Sequence, residues 1–155
     1  MNDQKNTPVI IYTDGACQGN PGPGGWGAVL EYRGNIKKIS GYVAEATNNQ
    51  MELTAAIEAL KALKQKSTVE LFTDSQYVKK GMTEWISGWI QKNWKTSSGS
   101  PVKNKELWQQ LYELSQFHDV SWNWVKAHNG DVNNEEADRL ATTAIVLKRA
   151  LQENE

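Results

Sequence analysis

The sequence is poor in the residues that would build a disulfide, a thiolate metal site or a membrane span. Its single cysteine, Cys17, excludes an internal disulfide bond and a cluster of cysteine metal ligands. No apolar run approaches the roughly 20 residues of a membrane-spanning helix, and residues 1–8 lack the apolar segment of a secretory signal. We therefore expect a cytoplasmic protein without a membrane partner, folded as one domain over residues 1–155.

Charge is nearly balanced over the whole chain but unevenly distributed along it. The 17 basic and 18 acidic residues give a net charge of −1. The segment from Lys79 to Lys105 holds six lysines and one acidic residue, a net charge of +5, so the rest of the chain carries −6. A basic segment in an acidic protein is typical of a surface that binds a polyanion, and it is equally compatible with a solvated lysine-rich surface.

The basic segment is also rich in tryptophan. Trp85, Trp89 and Trp94 lie within it, and aromatic rings among lysines suit stacking on sugars or bases beside phosphate contacts. The i, i+4 spacing of Trp85 and Trp89 also fits a helix that is packed on the core. We keep both interpretations, one for each end of the segment.

The pattern of apolar residues predicts five strands and four helices in the order βββαβααβα. The strands are expected at residues 9–13, 26–32, 36–43, 68–73 and 120–125. The helices are expected from Asn48 or Asn49 to about Gln65, around residues 78–89, at 107–117, and from Glu135 to about Leu151. Short links favour an antiparallel meander for the first three strands, with a turn-rich glycine connection over 15–27, whereas helices between the later strands require parallel crossovers. The fold class is therefore α/β, with a mixed five-stranded sheet flanked by helices.

Two of the predicted strands end in the same dipeptide. Thr13-Asp14 and Thr73-Asp74 each follow an apolar strand, and ligands bind outside the carboxyl ends of parallel strands. If the two strands are neighbours, Asp14 and Asp74 face each other there, within reach of Glu52 from the start of the intervening helix. Asp138, early in the last helix, is a fourth candidate. A single aspartate at a strand end is more often a turn or cap residue, and the repetition is what favours a site.

Clustered carboxylates need a cation. They repel one another and lose solvation on burial, and sites made only of oxygen atoms favour hard ions such as Mg²⁺ or Mn²⁺. Two such ions can hold an attacking water and a leaving oxygen in line on a phosphate. The acids therefore predict metal-dependent hydrolysis of a phosphate ester.

Two further features are less specific. His128 precedes a loop rich in Gly, Asp and Asn, where a histidine can take or give a proton near neutral pH, although its position alone favours an ordinary surface histidine. The run from Gly19 to Gly25 lacks the Lys-Ser/Thr ending of a P-loop. We interpret it as a tight connection that lets the backbone approach a ligand closely.

Several motifs of the chain together resemble those of a known family, bacterial type 1 ribonuclease H, in order and at the family's spacing over nearly the whole chain. The motifs are Thr13-Asp-Gly-Ala-Cys17, Gly19-Asn-Pro-Gly-Pro-Gly-Gly25, Thr47-Asn-Asn-Gln-Met-Glu-Leu53, Thr73-Asp-Ser-Gln-Tyr-Val78, Trp94-Lys-Thr96, Pro101-Val-Lys-Asn104 and Trp124-Val-Lys-Ala-His128.

The resemblance implies a ribonuclease H-like fold, and endonucleolytic cleavage of the RNA strand of an RNA–DNA hybrid that leaves 3′-hydroxyl and 5′-phosphate ends. It implies that two Mg²⁺ ions, which Mn²⁺ can replace, activate the water and stabilise the departing 3′ oxygen. The implied metal ligands are Asp14, which bridges both ions, Glu52, Asp74 and Asp138. His128 assists proton transfer or product release in this scheme, and we expect a monomer.

The resemblance also implies the contacts to the hybrid. Residues on the RNA side of the minor groove, where 2′-hydroxyls distinguish RNA from DNA, are Cys17, Asn20, Asn48 and Gln76. Thr47 and Asn104 match a pocket that grips a phosphate of the DNA strand. The basic segment around residues 79–105, with Trp85, matches a handle-like protrusion that holds the DNA strand.

Three positions depart from the common bacterial pattern. Gln50 stands where an arginine is frequent, so one cationic contact is expected to be missing. Ala16 replaces a frequent serine, and Ala127 replaces a frequent glycine beside His128, which would stiffen that loop. We find no separate N-terminal hybrid-binding domain and expect the catalytic domain to supply its own affinity.

Two other functions stay open at the level of sequence. One is a different nuclease on the same sheet architecture, such as an integrase-like or junction-cleaving enzyme. The other is a non-catalytic module that binds hybrids. The intact set of four acids argues against the second, because a pure binder gains nothing from negative charge beside a polyanion.

Overall fold

A six-stranded mixed sheet lies at the centre of the computed structural model, which describes residues 7–126, 131–150 and 152–154. The strands are β1 (Val9–Cys17), β2 (Gly22–Tyr32), β3 (Asn35–Ala46), β4 (Thr68–Thr73), β5 (Asp119–Trp124) and β6 (Gln152–Asn154). The helices are α1 (Asn48–Lys61), α2 (Gln76–Lys80), α3 (Ile86–Gln91), α4 (Lys105–Phe117) and α5 (Val132–Leu147). A π-helical turn over Gly81–Trp85 joins α2 to α3.

The sheet pairs as the sequence predicts. Its order is β5-β4-β1-β2-β3-β6. The strands β1, β2 and β3 form an antiparallel meander, whereas β1, β4 and β5 are parallel to one another. This confirms the α/β fold class, and it puts Thr13 of β1 beside Thr73, the last residue of β4.

Helices cover both faces of the sheet. On one face, Leu53, Ile57 and Leu60 of α1 pack in the main core with Trp108 of α4, and none of the four is more than 2% exposed. The helical spacing of Leu53, Ile57, Leu60 and Lys64 in the sequence predicts one buried stripe. The structure confirms it for the three apolar residues, whereas Lys64 is exposed and lies beyond the end of α1. On the other face, α5 packs against Val29 and its neighbours. None of the helices among the described residues combines the length and apolar content that a membrane crossing requires.

The glycine-rich run is mostly strand, and the prediction of a long connection over residues 15–27 is wrong. Only residues 18–21 separate β1 from β2. A Cβ atom added at Gly27 would lie 2.5 Å from the carbonyl oxygen of Ala137, and one at Gly25 would collide with the carbonyl oxygen of Ala141. These two glycines therefore let the sheet approach helix α5 closely.

Two helix ends differ from the prediction. Helix α1 begins after Thr47, whose hydroxyl accepts the N–H of Gln50, and it ends at Lys61. Helix α5 ends at Leu147, because Lys148 takes the left-handed conformation (φ 54°) and donates its N–H to carbonyls of the last turn. Beyond it, residues 152–154 pair with residues 37–39 of β3 as a sixth strand that the sequence analysis did not predict. The open edge of β3 supplies the unpaired backbone groups for this strand.

Candidate active site

Asp14 and Asp74 directly follow the last paired residues of the parallel strands β1 and β4, although β1 itself continues to Cys17 in its pairing with β2. Thr13 of β1 is the register partner of Thr73 of β4, and both threonines are at most 1% exposed. Each threonine is followed directly by an aspartate, Asp14 after Thr13 and Asp74 after Thr73. The Oδ1 atom of Asp14 accepts the N–H of Gly15 at 2.9 Å. The strand register therefore brings the two carboxylates to one edge of the sheet, as the Thr-Asp repetition predicts.

Glu52 reaches the two aspartates because Gly15 lets helix α1 lie directly on β1. A Cβ atom at Gly15 would stand 2.5 Å from the backbone nitrogen of Glu52, closer than real Cβ contacts come. One carboxylate oxygen from each of Asp14, Glu52 and Asp74 lies within 4.8 Å of the other two. The three acids that the sequence analysis proposed as neighbours are thus neighbours in the structure.

Asp138 approaches the same cluster from the opposite face of the sheet. Its helix, α5, touches the sheet at Gly27, which is the register partner of Asp14 in β2. Asp138 lies close enough to Asp14 to raise the pKa of the Asp14 carboxyl group. Asp138 is not among the three acids whose oxygens all lie within 4.8 Å of one another.

The cluster is electrostatically unfavourable without a cation. Burial raises the pKa of Asp14 to about 9, with further contributions from the charge of Asp74 and from Asp138. Burial also raises the pKa of Glu52, and the charges of Asp14 and Asp74 add to this effect. The Gly15 N–H is the group that opposes both shifts. The site therefore favours a proton or a metal ion on its oxygens.

The donor set fits a hard divalent cation. All the side chains in the cluster offer oxygen atoms, which Mg²⁺ and Mn²⁺ prefer. The Oε1 atom of Glu52 is buried and has no hydrogen-bond partner among the described residues. A buried, unpaired carboxylate oxygen costs free energy unless a ligand satisfies it.

The residues predicted to read the RNA strand lie around the cluster. The Cys17 thiol donates to the carbonyl of Ala46 at 2.9 Å, and Oδ1 of Asn20 accepts the N–H of Asn48 at 2.9 Å. The first contact joins the end of β1 to the end of β3, and the second joins the β1–β2 loop to the start of α1. Gln76 is exposed and opens α2, two residues after Asp74. The four predicted residues thus lie in segments that adjoin Asp14, Glu52 and Asp74.

The two residues predicted to hold a DNA phosphate are joined through a third. Thr47 caps α1, and Asn104 precedes α4 in the left-handed conformation (φ 61°). Gln50 accepts the backbone N–H of Thr47 at 3.0 Å and donates from Nε2 to Oδ1 of Asn104 at 3.4 Å. The structure therefore places both residues on one surface.

The basic segment over residues 79–105 comprises the end of α2, the π-helical turn, α3 and the loop that leads to α4. Its lysines 80, 92, 95 and 103 are exposed. The ion pairs seen among the described residues, Lys38–Glu136, Lys61–Glu58 and Arg139–Glu136, all lie outside it.

The tryptophans of this segment are of two kinds, one exposed and available for stacking and the others packed on the core. Trp85 is 37% exposed, with its ring 6.0 Å from that of Tyr77. Trp89 packs against Trp94 and the buried Trp108, at centroid distances of 6.2 and 5.1 Å. Trp85 therefore offers an open aromatic surface, whereas Trp89 belongs to the core.

Three supporting residues escaped the sequence analysis. Gly15 sets the approach of α1, and Trp124 donates its indole N–H to the backbone carbonyl of Asp74 at 3.2 Å. Gln50 was interpreted only as a missing cation, although Thr47-x-x-Gln50 is the spacing of a capping box and would have revealed its role at the helix start. His128 and Ala127 lie outside the described residues.

Comparison with known proteins agrees with this site. The RNase H family model matches residues 6–146. The chain is 60% identical to ribonuclease H of Hahella chejuensis over 145 residues, which cover 94% of this chain and 97% of the relative. It is 60% identical to ribonuclease H of Polynucleobacter asymbioticus over 137 residues, which cover 88% of this chain and 89% of the relative.

Solved structures give the same result. The crystal structure of LC9-RNase H1, a type 1 RNase H with the type 2 active-site motif, superposes with a TM-score of 0.86 at 34% identity, covering 96% of this chain and 78% of that one. LC11-RNase H1 in complex with an RNA/DNA hybrid superposes with a TM-score of 0.69 at 26% identity, covering 90% and 98%. The chain therefore belongs to the RNase H family and is a hydrolase of the bacterial ribonuclease H type.

Proposed function

We propose that this chain hydrolyses the RNA strand of RNA–DNA hybrids with divalent metal ions that Asp14, Glu52 and Asp74 hold. The observation that carries the proposal is that three carboxylate oxygens, one each from β1, α1 and the residue after β4, lie within 4.8 Å of one another. The raised pKa values of Asp14 and Glu52 support it, because a bound divalent ion offsets both the loss of solvation that mainly causes these shifts and the repulsion between the acids. The family's activity and the solved relative with a bound RNA/DNA hybrid supply the substrate class.

The metal ions are proposed to be two Mg²⁺, with Mn²⁺ as a substitute. When bound, they supply an activated water for attack on the scissile phosphate and stabilise the departing 3′ oxygen. Attack at phosphorus with loss of the 3′ oxygen leaves 5′-phosphate and 3′-hydroxyl ends. Asp138 is proposed as the fourth metal-binding carboxylate, on the side of the attacking water, and His128 as the group that assists proton transfer.

The chain's own groups are proposed to select the hybrid. Cys17, Asn20, Asn48 and Gln76 surround the carboxylates and would contact 2′-hydroxyls of the RNA strand. The exposed lysines of the basic segment, together with Trp85, would hold the DNA strand as a handle. We propose that the enzyme acts in the cytoplasm as a monomer, because a single chain contributes all three acids of the proposed metal site.

A labelled RNA–DNA hybrid tests the proposal, incubated with Mg²⁺ or with a chelator beside matched DNA and RNA duplexes. We expect cleavage of the hybrid's RNA strand with Mg²⁺ and none with the chelator. Asp14→Asn and Asp74→Asn are each expected to reduce cleavage by about a hundred-fold or more while hybrid binding is retained. Asp119→Asn, an exposed change at the start of β5, is the control and should leave the rate unchanged.

Each alternative has its own outcome in this experiment. Cleavage of the DNA duplex would indicate an integrase-like or junction-cleaving enzyme. Tight binding of the hybrid without any cleavage would indicate a binding module. Full activity in the chelator, or in Asp74→Asn, would refute the proposed metal site.

A further inference from the structure

Gln50 stands where the family frequently has an arginine. It is the centre of a hydrogen-bond network that links helices α1, α2 and α4. Its backbone and side chain both bond to Thr47, at the start of α1. Its Nε2 atom donates to Asn104, at the start of α4. Asn104 in turn donates from Nδ2 to the hydroxyl of Tyr77 in α2 at 3.1 Å, and the buried Trp108 donates to that same hydroxyl at 3.1 Å.

The hydrogen bonds of this network fix the orientation of the Gln50 amide first and then that of the Asn104 amide. The backbone N–H of Thr47 can bond only to the oxygen of the Gln50 amide, so the NH₂ group of Gln50 points to Asn104. The Asn104 oxygen must then face Gln50, and its NH₂ group faces Tyr77. The capping contact between Thr47 and Gln50 thus sets the direction, from donor to acceptor, of the other hydrogen bonds in the network.

The hydrogen bonds inside this network leave several donors free. Oε1 of Gln50 and Oδ1 of Asn104 each accept one N–H and keep a second lone pair, and the Tyr77 oxygen accepts two N–H groups. Among the described residues, no bond occupies the second N–H of the Gln50 amide, the second N–H of the Asn104 amide, or the hydroxyl protons of Thr47 and Tyr77. Four free donors on one surface can together bind an anion.

We infer that Gln50 is a positioning residue that holds Thr47 and Asn104 as the two walls of an uncharged pocket for a phosphate of the DNA strand. The inference rests on the proposed function for the identity of the anion. An arginine here would add a charge but has no acceptor for the N–H of Thr47. This chain therefore replaces one ionic contact with a fixed arrangement of neutral donors.

The variant that separates this role from helix capping is Gln50→Glu. Glutamate at this position keeps the capping box, since its carboxylate accepts the Thr47 N–H, but it cannot donate to Asn104 and it repels a phosphate. Lys61→Gln is the matched control, because it makes the same change in net charge at the exposed far end of α1. Tyr77→Phe is a second variant that keeps the ring and removes the hydroxyl that fixes Asn104.

Steady-state cleavage of a labelled RNA–DNA hybrid with Mg²⁺ tests the inference. We expect Gln50→Glu to raise KM by about ten-fold and Tyr77→Phe by about three-fold, with kcat changed by less than about two-fold. The melting temperature of Gln50→Glu should not fall below that of the native chain. Lys61→Gln should leave KM within about two-fold of the native value.

The outcomes separate the inference from the proposed function. If the native chain cleaves the hybrid and Gln50→Glu has the KM of Lys61→Gln, the inference is wrong and the proposed function stands. A loss of kcat at unchanged KM would also overturn it, because a phosphate-positioning residue acts on binding. If the native chain does not cleave the hybrid at all, the proposed function fails and the inference fails with it.

Discussion

Replacement of Asp14 by asparagine is expected to stabilise the metal-free protein near neutral pH, although it removes a proposed metal ligand. Asp14 is 5% exposed and lies against the carboxyl groups of Glu52, Asp74 and Asp138. Burial and this repulsion raise its pKa from 3.8 to about 9. Asparagine keeps the shape of the side chain and carries no charge, so it removes the unfavourable interaction without leaving a cavity.

The sign and size of the effect follow from the raised pKa. Between pH 3.8 and about 9, the folded state holds a proton on Asp14 that the unfolded state releases, so stability falls as the pH rises. Neutral pH lies about three pH units above the lower limit, at about 1.4 kcal/mol for each, which sets an upper limit of about 4 kcal/mol. Because the four acids share their repulsion, we expect a gain of about 2–4 kcal/mol near pH 7 and none near pH 4.

Urea unfolding in a chelator measures this difference. The native chain, Asp14→Asn and the exposed control Asp119→Asn are compared at a series of pH values. The gain should grow with pH for Asp14→Asn alone, and added Mg²⁺ should stabilise the native chain more than the variant. A gain that does not depend on pH, or an Asp14→Asn protein less stable than the native chain near pH 7, would refute the electrostatic argument.

Three further predictions concern residues outside the carboxylate cluster. Gly15→Ala is expected to destabilise the protein by about 3 kcal/mol and to abolish cleavage, because the new Cβ atom would lie 2.5 Å from the backbone of α1. Thermal unfolding measures this effect, with Gly88→Ala as the control, which has nothing within 4 Å of its Cβ atom and should be neutral or stabilising. Glu136→Gln is expected to lower the free energy of unfolding by about 1 kcal/mol near neutral pH, because hydrogen bonds from Arg139 and then Lys38 lower the pKa of Glu136 from 4.5 to about 2. This stabilisation is present above pH 4.5 and is lost as the pH falls through about 2. Unfolding measured at neutral and at acidic pH should therefore show the difference between the native chain and the variant disappear in acid. Replacement of four lysines of the basic segment together is expected to raise KM for the hybrid and to flatten the dependence of KM on salt. The four are Lys92, Lys95, Lys103 and Lys105. An unchanged salt slope would show that this segment is not the binding surface.

The sequence contains much of the information for the catalytic cluster because that information is local. A β-branched apolar run before Thr-Asp specifies a strand and a carboxylate that follows its apolar part. The helix before the fourth strand favours a parallel crossover, and the pairing of β4 with β1 in the structure places Asp14 beside Asp74. The i, i+4 stripe of α1 likewise fixes which side of that helix is buried, and hence that Glu52 lies near the sheet.

Other features depend on which segments meet, and no local pattern encodes them. The glycines at 25 and 27 have turn propensity in isolation, and only the arrival of α5 shows why a strand needs them. The same close approach brings Asp138 to Asp14, across more than a hundred residues of chain.

By itself the sequence determined where the apolar strands and the helical stripes lie and which acids could form a site, since these follow from the conformational preferences of neighbouring residues. The tertiary structure alone decided that α5 contacts the sheet at its glycines, that the chain returns as a sixth strand on β3, and that Gln50 contacts Asn104. Those contacts join residues far apart in the sequence, and their geometry is set by the packing of whole helices on the sheet, which no short stretch of sequence specifies.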